Sequence, residues 1–131
     1  MKMEKQINFY MQKLEYEIDS WDLFESINRG EKIVVIDARS KQSYLHEHIP
    51  NSINLPHREM NEETTSELDK SFLYVTYCDG IGCNASTKGA LNMSRLGFRV
   101  KELIGGLDWW KRDGYQTDGK KGKSGKPICG C

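Results

Sequence analysis

The sequence predicts a single α/β domain built on a mainly parallel central sheet with helices on both faces. Three observations carry this. Strand-like and helix-like segments alternate along the chain. One strand-like segment, Ile33-Val34-Val35-Ile36, is apolar at every position, as in a strand covered on both sides. A chain of 131 residues is the size of one ordinary domain, long enough to bury a core without help from metals or disulfides.

Composition narrows the function classes. Lys+Arg and Asp+Glu each number 19, so the formal net charge is zero and nothing suggests a nucleic-acid footprint. No apolar run approaches membrane-spanning length. The amino end, Met1-Lys2-Met3-Glu4-Lys5-Gln6, lacks the apolar centre of a secretory signal. The expectation is a cytoplasmic protein with no membrane partner. The four cysteines, Cys78, Cys83, Cys129 and Cys131, cluster in one loop and one tail. In a reducing compartment that pattern favours redox, sulfur or metal chemistry over a disulfide framework.

The elements follow in order. Ile7, Tyr10, Met11 and Leu14 recur at helical spacing, so residues 1–15 form a helical extension whose apolar face packs on the domain or pairs with a second subunit, packing being the favoured reading. The domain proper spans residues 16–117. Glu17-Ile18-Asp19 reads as a short edge strand. Ser20 is suited to cap a helix that carries Trp21, Phe24 and Ile27 on one side and stops at Gly30. The Ile33–Ile36 strand ends in Asp37-Ala38-Arg39, and Ser40 caps a short helix over 41–46. Pro50 disfavours helix at Ile49. Ile53-Asn54-Leu55 is a short strand, and 62–68 a surface helix with few apolar residues. Ser71 to Tyr77, rich in aromatic and β-branched residues, is a buried strand. Ala85 to Leu96 is a helix with Ala85, Gly89, Met93 and Leu96 on one face, ended by Gly97. Residues 98–103 alternate as a strand near the sheet's rim. Gly105-Gly106 turns into a last short helix containing Trp109-Trp110, closed by Gly114-Tyr115. Residues 118–131 are a flexible Lys/Gly-rich tail ending in Cys129-Gly130-Cys131.

The chemistry concentrates in Tyr77-Cys78-Asp79-Gly80-Ile81-Gly82-Cys83-Asn84, between a strand and a helix. Such a strand–loop–helix points backbone N–H groups and a helix dipole at one place. A loop curled around Cys78 favours thiolate over thiol and offers a seat for an anion. In open α/β sheets ligands bind beyond the carboxyl ends of strands, where both Cys78 and Asp37 fall. The alternative is a buried structural cysteine.

The ordered set of motifs resembles the rhodanese family. Val35-Ile36-Asp37-Ala38-Arg39 resembles its Asp-x-Arg strand end. Tyr44 through His48-Ile49-Pro50 to Ile53-Asn54-Leu55-Pro56 resembles its His-Ile-Pro segment. Tyr77-Cys78 opens a loop like its active-site loop. Leu96-Gly97-Phe98, Leu103-Ile104-Gly105-Gly106-Leu107, Trp110 and Gly114-Tyr115 resemble its carboxyl-terminal signature. The resemblance implies a sulfurtransferase without a cofactor. Cys78 would accept sulfane sulfur as a persulfide from a small donor (thiosulfate, mercaptopyruvate or polysulfide). It would then pass the sulfur to a thiol or a protein. Backbone amides of Asp79, Gly80, Ile81, Gly82, Cys83 and Asn84 would hold the terminal sulfur as an oxyanion hole holds oxygen. Gly80 and Gly82 would supply backbone freedom.

Three departures from that pattern stand out. Cys83 occupies the sixth loop position, counting Cys78 as the first, where many relatives carry Arg. Thiosulfate-using relatives often carry basic residues in or beside the loop, whereas here Asp79 and Gly80 follow Cys78. Glu47 and Asn51 replace glycines of the His-Ile-Pro segment. Cys83 is either a resolving thiol toward Cys78 or a filler of apolar space under the loop. Asp37 and Arg39 read as a structural pair fixing loops, His48 as a structural hydrogen-bonding residue, and no metal site is expected. Two other functions stay open: a thiol redox or sensing module on the Cys78/Cys83 pair, and a non-catalytic interaction domain.

Overall fold

Burial decides which segments become strands. In the computed structural model, which describes residues 2–122, the elements run α1 (Lys2–Tyr16), β1 (Glu17–Ile18), α2 (Ser20–Asn28), β2 (Ile33–Asp37), α3 (Lys41–His46), β3 (Ile53–Asn54), β4 (Leu73–Tyr77), α4 (Ala85–Arg95), β5 (Arg99–Leu103) and α5 (Gly106–Arg112). The five strands form one sheet in the order β1-β5-β4-β2-β3, and every pairing is parallel. The two strands with the most apolar sequences, β2 and β4, are neighbours at its centre.

Alternating side chains of these strands feed two cores. Val35, Val75, Tyr77 and Leu103 pack with Leu23 of α2 and with Leu107, Trp110 and Tyr115. Ile36, Tyr74 and Val100 pack on the opposite face with Met60, Met93 of α4 and Phe98. Gly89 lets α4 lie close against the sheet: a Cβ there would stand 3.2 Å from the Ala38 Cβ and 3.1 Å from the Met60 Cε.

Four local expectations are corrected. The cap of α2 is Asp19, whose carboxylate accepts the Asp22 N–H at 2.8 Å; Ser20 is already helical and buried. Asp wins because its longer side chain and charge suit a helix N-terminus. Residues 62–68 form successive turns rather than a helix, preceded by a 3₁₀ turn at His57–Glu59. Asn61 and Thr64 bond each other's backbone N–H groups there, an arrangement that competes with helix. The apolar face of α1 does not pack on the domain, since Ile7, Tyr10, Met11 and Leu14 are all exposed. The helix is held at its carboxyl end, where Lys101 Nζ donates to the Leu14 carbonyl.

The fourth concerns the boundary after Thr117. Thr117 is buried and its hydroxyl donates to Glu47, while His48 and Asp118 exchange backbone hydrogen bonds at 2.9 Å. Lys120 and Lys121 donate to the carbonyls of Leu45 and His46 at the end of α3. Backbone hydrogen bonds therefore tie the chain to the domain as far as Lys121, although residues 118–122 are exposed; Cys129 and Cys131 lie outside the described residues.

Candidate active site

The sheet has a switch point between β2 and β4. After β2 the chain steps outward to β3; after β4 it steps the other way to β5. Register pairs Asp37 with Tyr77 at the carboxyl ends of these two strands, so Cys78 follows in the crevice where such folds bind ligands.

The start of the loop is fixed from behind. The Leu107 N–H donates to the Cys78 carbonyl at 2.9 Å and the Asp108 N–H to the Asp79 carbonyl at 2.8 Å. Both donors belong to the first turn of α5, whose amides have no partner within the helix. Gly106 allows the approach: its φ is 57°, and a Cβ there would drive into the Cys78 carbonyl. Sequence reading placed a turn at Gly105-Gly106 without seeing what it faces. A Gly pair opening a short helix is only a weak signal for such a contact.

Arg39 holds the front. Its guanidinium donates to both Asp37 oxygens, Nε at 2.9 Å and Nη2 at 2.6 Å. It also donates to Asp79 Oδ1 at 2.7 Å and to the Glu47 carbonyl at 2.6 Å. Burial opposes the arginine's charge, yet the hydrogen bonds and charge of Asp37 and the hydrogen bond to Asp79 hold its pKa above the ordinary arginine range. Tyr77 completes the network, donating to Asp37 Oδ2 at 2.9 Å and accepting the Ile49 N–H. Burial first, then the charge of Asp37, raises its pKa, so it stays a donor at neutral pH. Asp79 is 70 % exposed, but its carboxylate is turned to Arg39.

The rest of the loop is held differently. Ile81 is 78 % exposed. Cys83 is joined to Cys78 in a disulfide, with Cα atoms 6.1 Å apart. Cys83 is partly exposed rather than buried under the loop, and it faces Cys78. The expected set of loop donors is also reduced, because the Cys83 N–H donates to the Gly80 carbonyl at 3.2 Å. Asn84 makes no side-chain cap to α4, so the helix's opening amides are not closed off by it. Neither Gly80 nor Gly82 has a left-handed backbone; a Cβ at Gly80 would stand a tight 3.2 Å from the Asp108 Cβ, while one at Gly82 would meet no atom within 4 Å. Of the two replaced glycines, position 51 does need left-handed backbone (Asn51 φ 63°), whereas Glu47 is extended and binds Lys111 and Thr117. His48 Nδ1 lies 2.6 Å from the Tyr44 carbonyl and donates to it, its ring stacked on Tyr44.

Two clefts flank the loop. One, of about 430 Å³, is lined by Cys78 and Cys83, with Lys41, His57 and Arg58 around it and the acidic Glu59 and Asp79 on the same lining. These basic groups come from the start of α3 and from the turn after β3. Sequence reading missed them because it searched for basic residues within and beside the loop. Burial, then the charges of Lys88 and Arg58, pushes the His57 pKa down and favours the neutral ring. The other cleft, of about 480 Å³, lies between the loop, α1 and β5 and is lined by Cys83 but not Cys78. Among the described residues, Cys78, Asp79 and Cys83 place potential metal-ligand atoms within 4.8 Å of one another. Their sulfurs are bonded to each other and the carboxylate is held by Arg39, so this set is no thiolate metal site in the disulfide form.

A parallel sheet with a cysteine loop at its switch point, followed by a helix, defines a class of α/β protein. The family model of the Rhodanese-like domain matches residues 20–113, and this chain belongs to that family. It is 31% identical over 106 residues to a thiosulfate sulfurtransferase, GlpE, of Coxiella burnetii, covering 79% of this chain and 92% of that protein. A stretch of 62 residues is 40% identical to part of a tRNA sulfurtransferase of Thermoplasma acidophilum, 47% of this chain and 12% of that protein. Among solved structures, the BH2092 protein of Bacillus halodurans superposes with a TM-score of 0.87 at 42% identity, over 91% of this chain and 88% of that one. A rhodanese-related protein of Thermoplasma volcanium gives a TM-score of 0.68 at 28% identity, over 79% and 97%. These relatives link the chain to sulfur transfer in general. Among the described residues no helix is long and apolar enough to cross a membrane.

Proposed function

We propose that this chain is a sulfurtransferase that carries sulfane sulfur as a persulfide on Cys78. The observation that supports it most is the place of Cys78: the buried floor of a basic cleft at the sheet's switch point, its backbone fixed by α5. In the reduced protein the Cys78 thiolate attacks the outer sulfur of a small donor. A new S–S bond forms, the donor's own S–S or C–S bond breaks, and sulfite, pyruvate or a shortened polysulfide leaves. A thiol or protein acceptor then takes the sulfur. Lys41 and Arg58 suit an anionic donor; Asp79 is bound to Arg39, which leaves Glu59 as the opposing charge of the cleft. Thiosulfate, the substrate in the name of the Coxiella relative, is therefore the first donor to try.

The test is the intact mass of reduced protein after brief exposure to thiosulfate, 3-mercaptopyruvate and a polysulfide, with peptide mapping. One added sulfur on the Cys78 peptide is expected, and none with Cys78→Ser. Equal labelling of Cys78→Ser would sink the proposal. The disulfide supports a second reading, a thiol redox module. It predicts loss of two hydrogens at Cys78 and Cys83 under mild oxidant and no sulfur uptake from any donor.

A further inference from the structure

The two bonded sulfurs do not occupy equivalent positions. Cys78 is 1 % exposed and, of the two clefts flanking the loop, lines the one that carries Lys41 and Arg58; Cys83 is partly exposed and lines both. Their Cα separation of 6.1 Å lies inside the range a disulfide spans without backbone movement. The same approach brings a Cys83 thiolate within reach of Cys78 Sγ when that sulfur carries a persulfide. We infer that Cys83 is a resolving thiol, and that the chain reduces sulfane sulfur to hydrosulfide through the Cys78–Cys83 disulfide. This rests on the persulfide reading of Cys78.

The step balances without a cofactor. The Cys83 thiol gives up its proton and its sulfur attacks Cys78 Sγ. The Sγ–Sγ bond forms as the persulfide bond breaks. The outer sulfur leaves with that bond's electron pair and keeps a proton as hydrosulfide. Sulfane sulfur is reduced by two electrons, and the two cysteines together are oxidised by two.

Renewal takes a dithiol reductant. One of its sulfurs attacks Cys83, the accessible partner, from the cleft beside α1, and Cys78 leaves as thiolate. The reductant's second sulfur then releases Cys83 and closes a disulfide on the reductant. The sum of the cycle is sulfane sulfur plus dithiol giving hydrosulfide plus disulfide. The two clefts thereby acquire separate tasks: the basic one takes the sulfur donor at Cys78, the other takes the reductant at Cys83.

The experiment uses reduced full-length protein freed of small thiols, as wild type, Cys83→Ser and Cys83→Ala, the alanine variant guarding against a fold defect specific to serine. Thiosulfate and 3-mercaptopyruvate serve as donors in the sulfide assay, because they leave as sulfite and pyruvate and release no hydrosulfide themselves. Polysulfide is added for loading measured by mass. Wild type should release one hydrosulfide per chain, yield a linked Cys78–Cys83 peptide, and stop until dithiothreitol is supplied. Both Cys83 variants should keep the added sulfur on Cys78 and lose the sulfide burst. Sulfide release by the variants at the wild-type level overturns the inference. So does a wild type that holds its persulfide without release while the variants load normally; sulfur transfer then stands and the resolving step falls. If no protein takes up sulfur from any donor, the persulfide reading fails and this inference with it.

Discussion

The loop has a stem and a crown, and they are built to different standards. The stem, Cys78 and Asp79, has its carbonyls held by two α5 amides, and the Asp79 carboxylate is held by the buried Arg39. The crown, Ile81 to Asn84, is tied by the Cys83 N–H to the Gly80 carbonyl, by the Asn84 carbonyl to the Lys88 N–H of α4, and by the disulfide, with Ile81 and Gly82 in solvent. The difference teaches where precision is spent. The sulfur proposed to receive substrate sits on fixed backbone, whereas the sulfur proposed to close on it rides on a segment with few neighbours.

The largest effect should come from removing the front clamp. Arg39→Ala strands the fully buried Asp37 carboxylate and frees Asp79. Loss of one partner from a buried pair typically costs about 3–5 kcal/mol. Urea unfolding should show a loss of that size. Arg39→Lys should recover only part of it, because an ammonium cannot reproduce the fork to both Asp37 oxygens. Full recovery by lysine would mean that charge alone, not geometry, holds the stem.

Gly106→Ala attacks the stem from behind. A left-handed backbone and a Cβ directed at the Cys78 carbonyl together should destabilise by about 2–4 kcal/mol, a melting-temperature fall of roughly 10 °C. Sulfur uptake at Cys78 should fall further than stability alone explains when both are measured well below the melting point. Uptake at the wild-type rate in a folded Gly106→Ala protein would show that the α5 contact is scaffolding only.

His57 offers a subtler comparison, since it lines the cleft that reaches the stem. Its folded pKa lies below the unfolded value, so between the two the unfolded state binds more protons. Stability therefore falls as pH drops through the ordinary histidine range, and the penalty is complete below the folded pKa. Wild type should lose stability relative to His57→Gln between roughly pH 7 and pH 5. Parallel urea midpoints across that range would contradict the assignment.

Much of this was legible in sequence because it rests on local pattern. The Ile33–Ile36 run, the β-rich segment before Cys78 and the amphipathic α4 specify the parallel sheet, and the strand ends then place Asp37 and Cys78 together. What escaped depends on contacts between distant segments. Lys41 and Arg58 join the cleft only because α3 and the turn after β3 fold over the ends of β2 and β4. Gly106 carries no mark that its neighbour is residue 78. The periodicity of α1 correctly signals a helix, but an apolar face does not reveal whether the domain has a surface to receive it. The chain beyond Thr117 looks like linker by composition, yet Glu47, a buried acid at the end of α3, draws Thr117 inward.

The smallest expected effect is the sharpest check on the crown. Gly82 meets no atom within 4 Å of an added Cβ, and its φ lies outside the left-handed region. Gly82→Ala should leave stability within about 0.5 kcal/mol of wild type, or raise it slightly by narrowing the unfolded ensemble. Sulfur loading and the sulfide burst should both be unchanged, because neither the Cys78 carbonyl nor the Cys83 N–H depends on that residue. A loss of more than about 1 kcal/mol would show that the crown's backbone is as constrained as the stem's. A lost burst with normal loading would be more specific. It would mean that closure of Cys83 on Cys78 passes through a backbone state only glycine can reach, and the freedom inferred for the crown would then be located at Gly82.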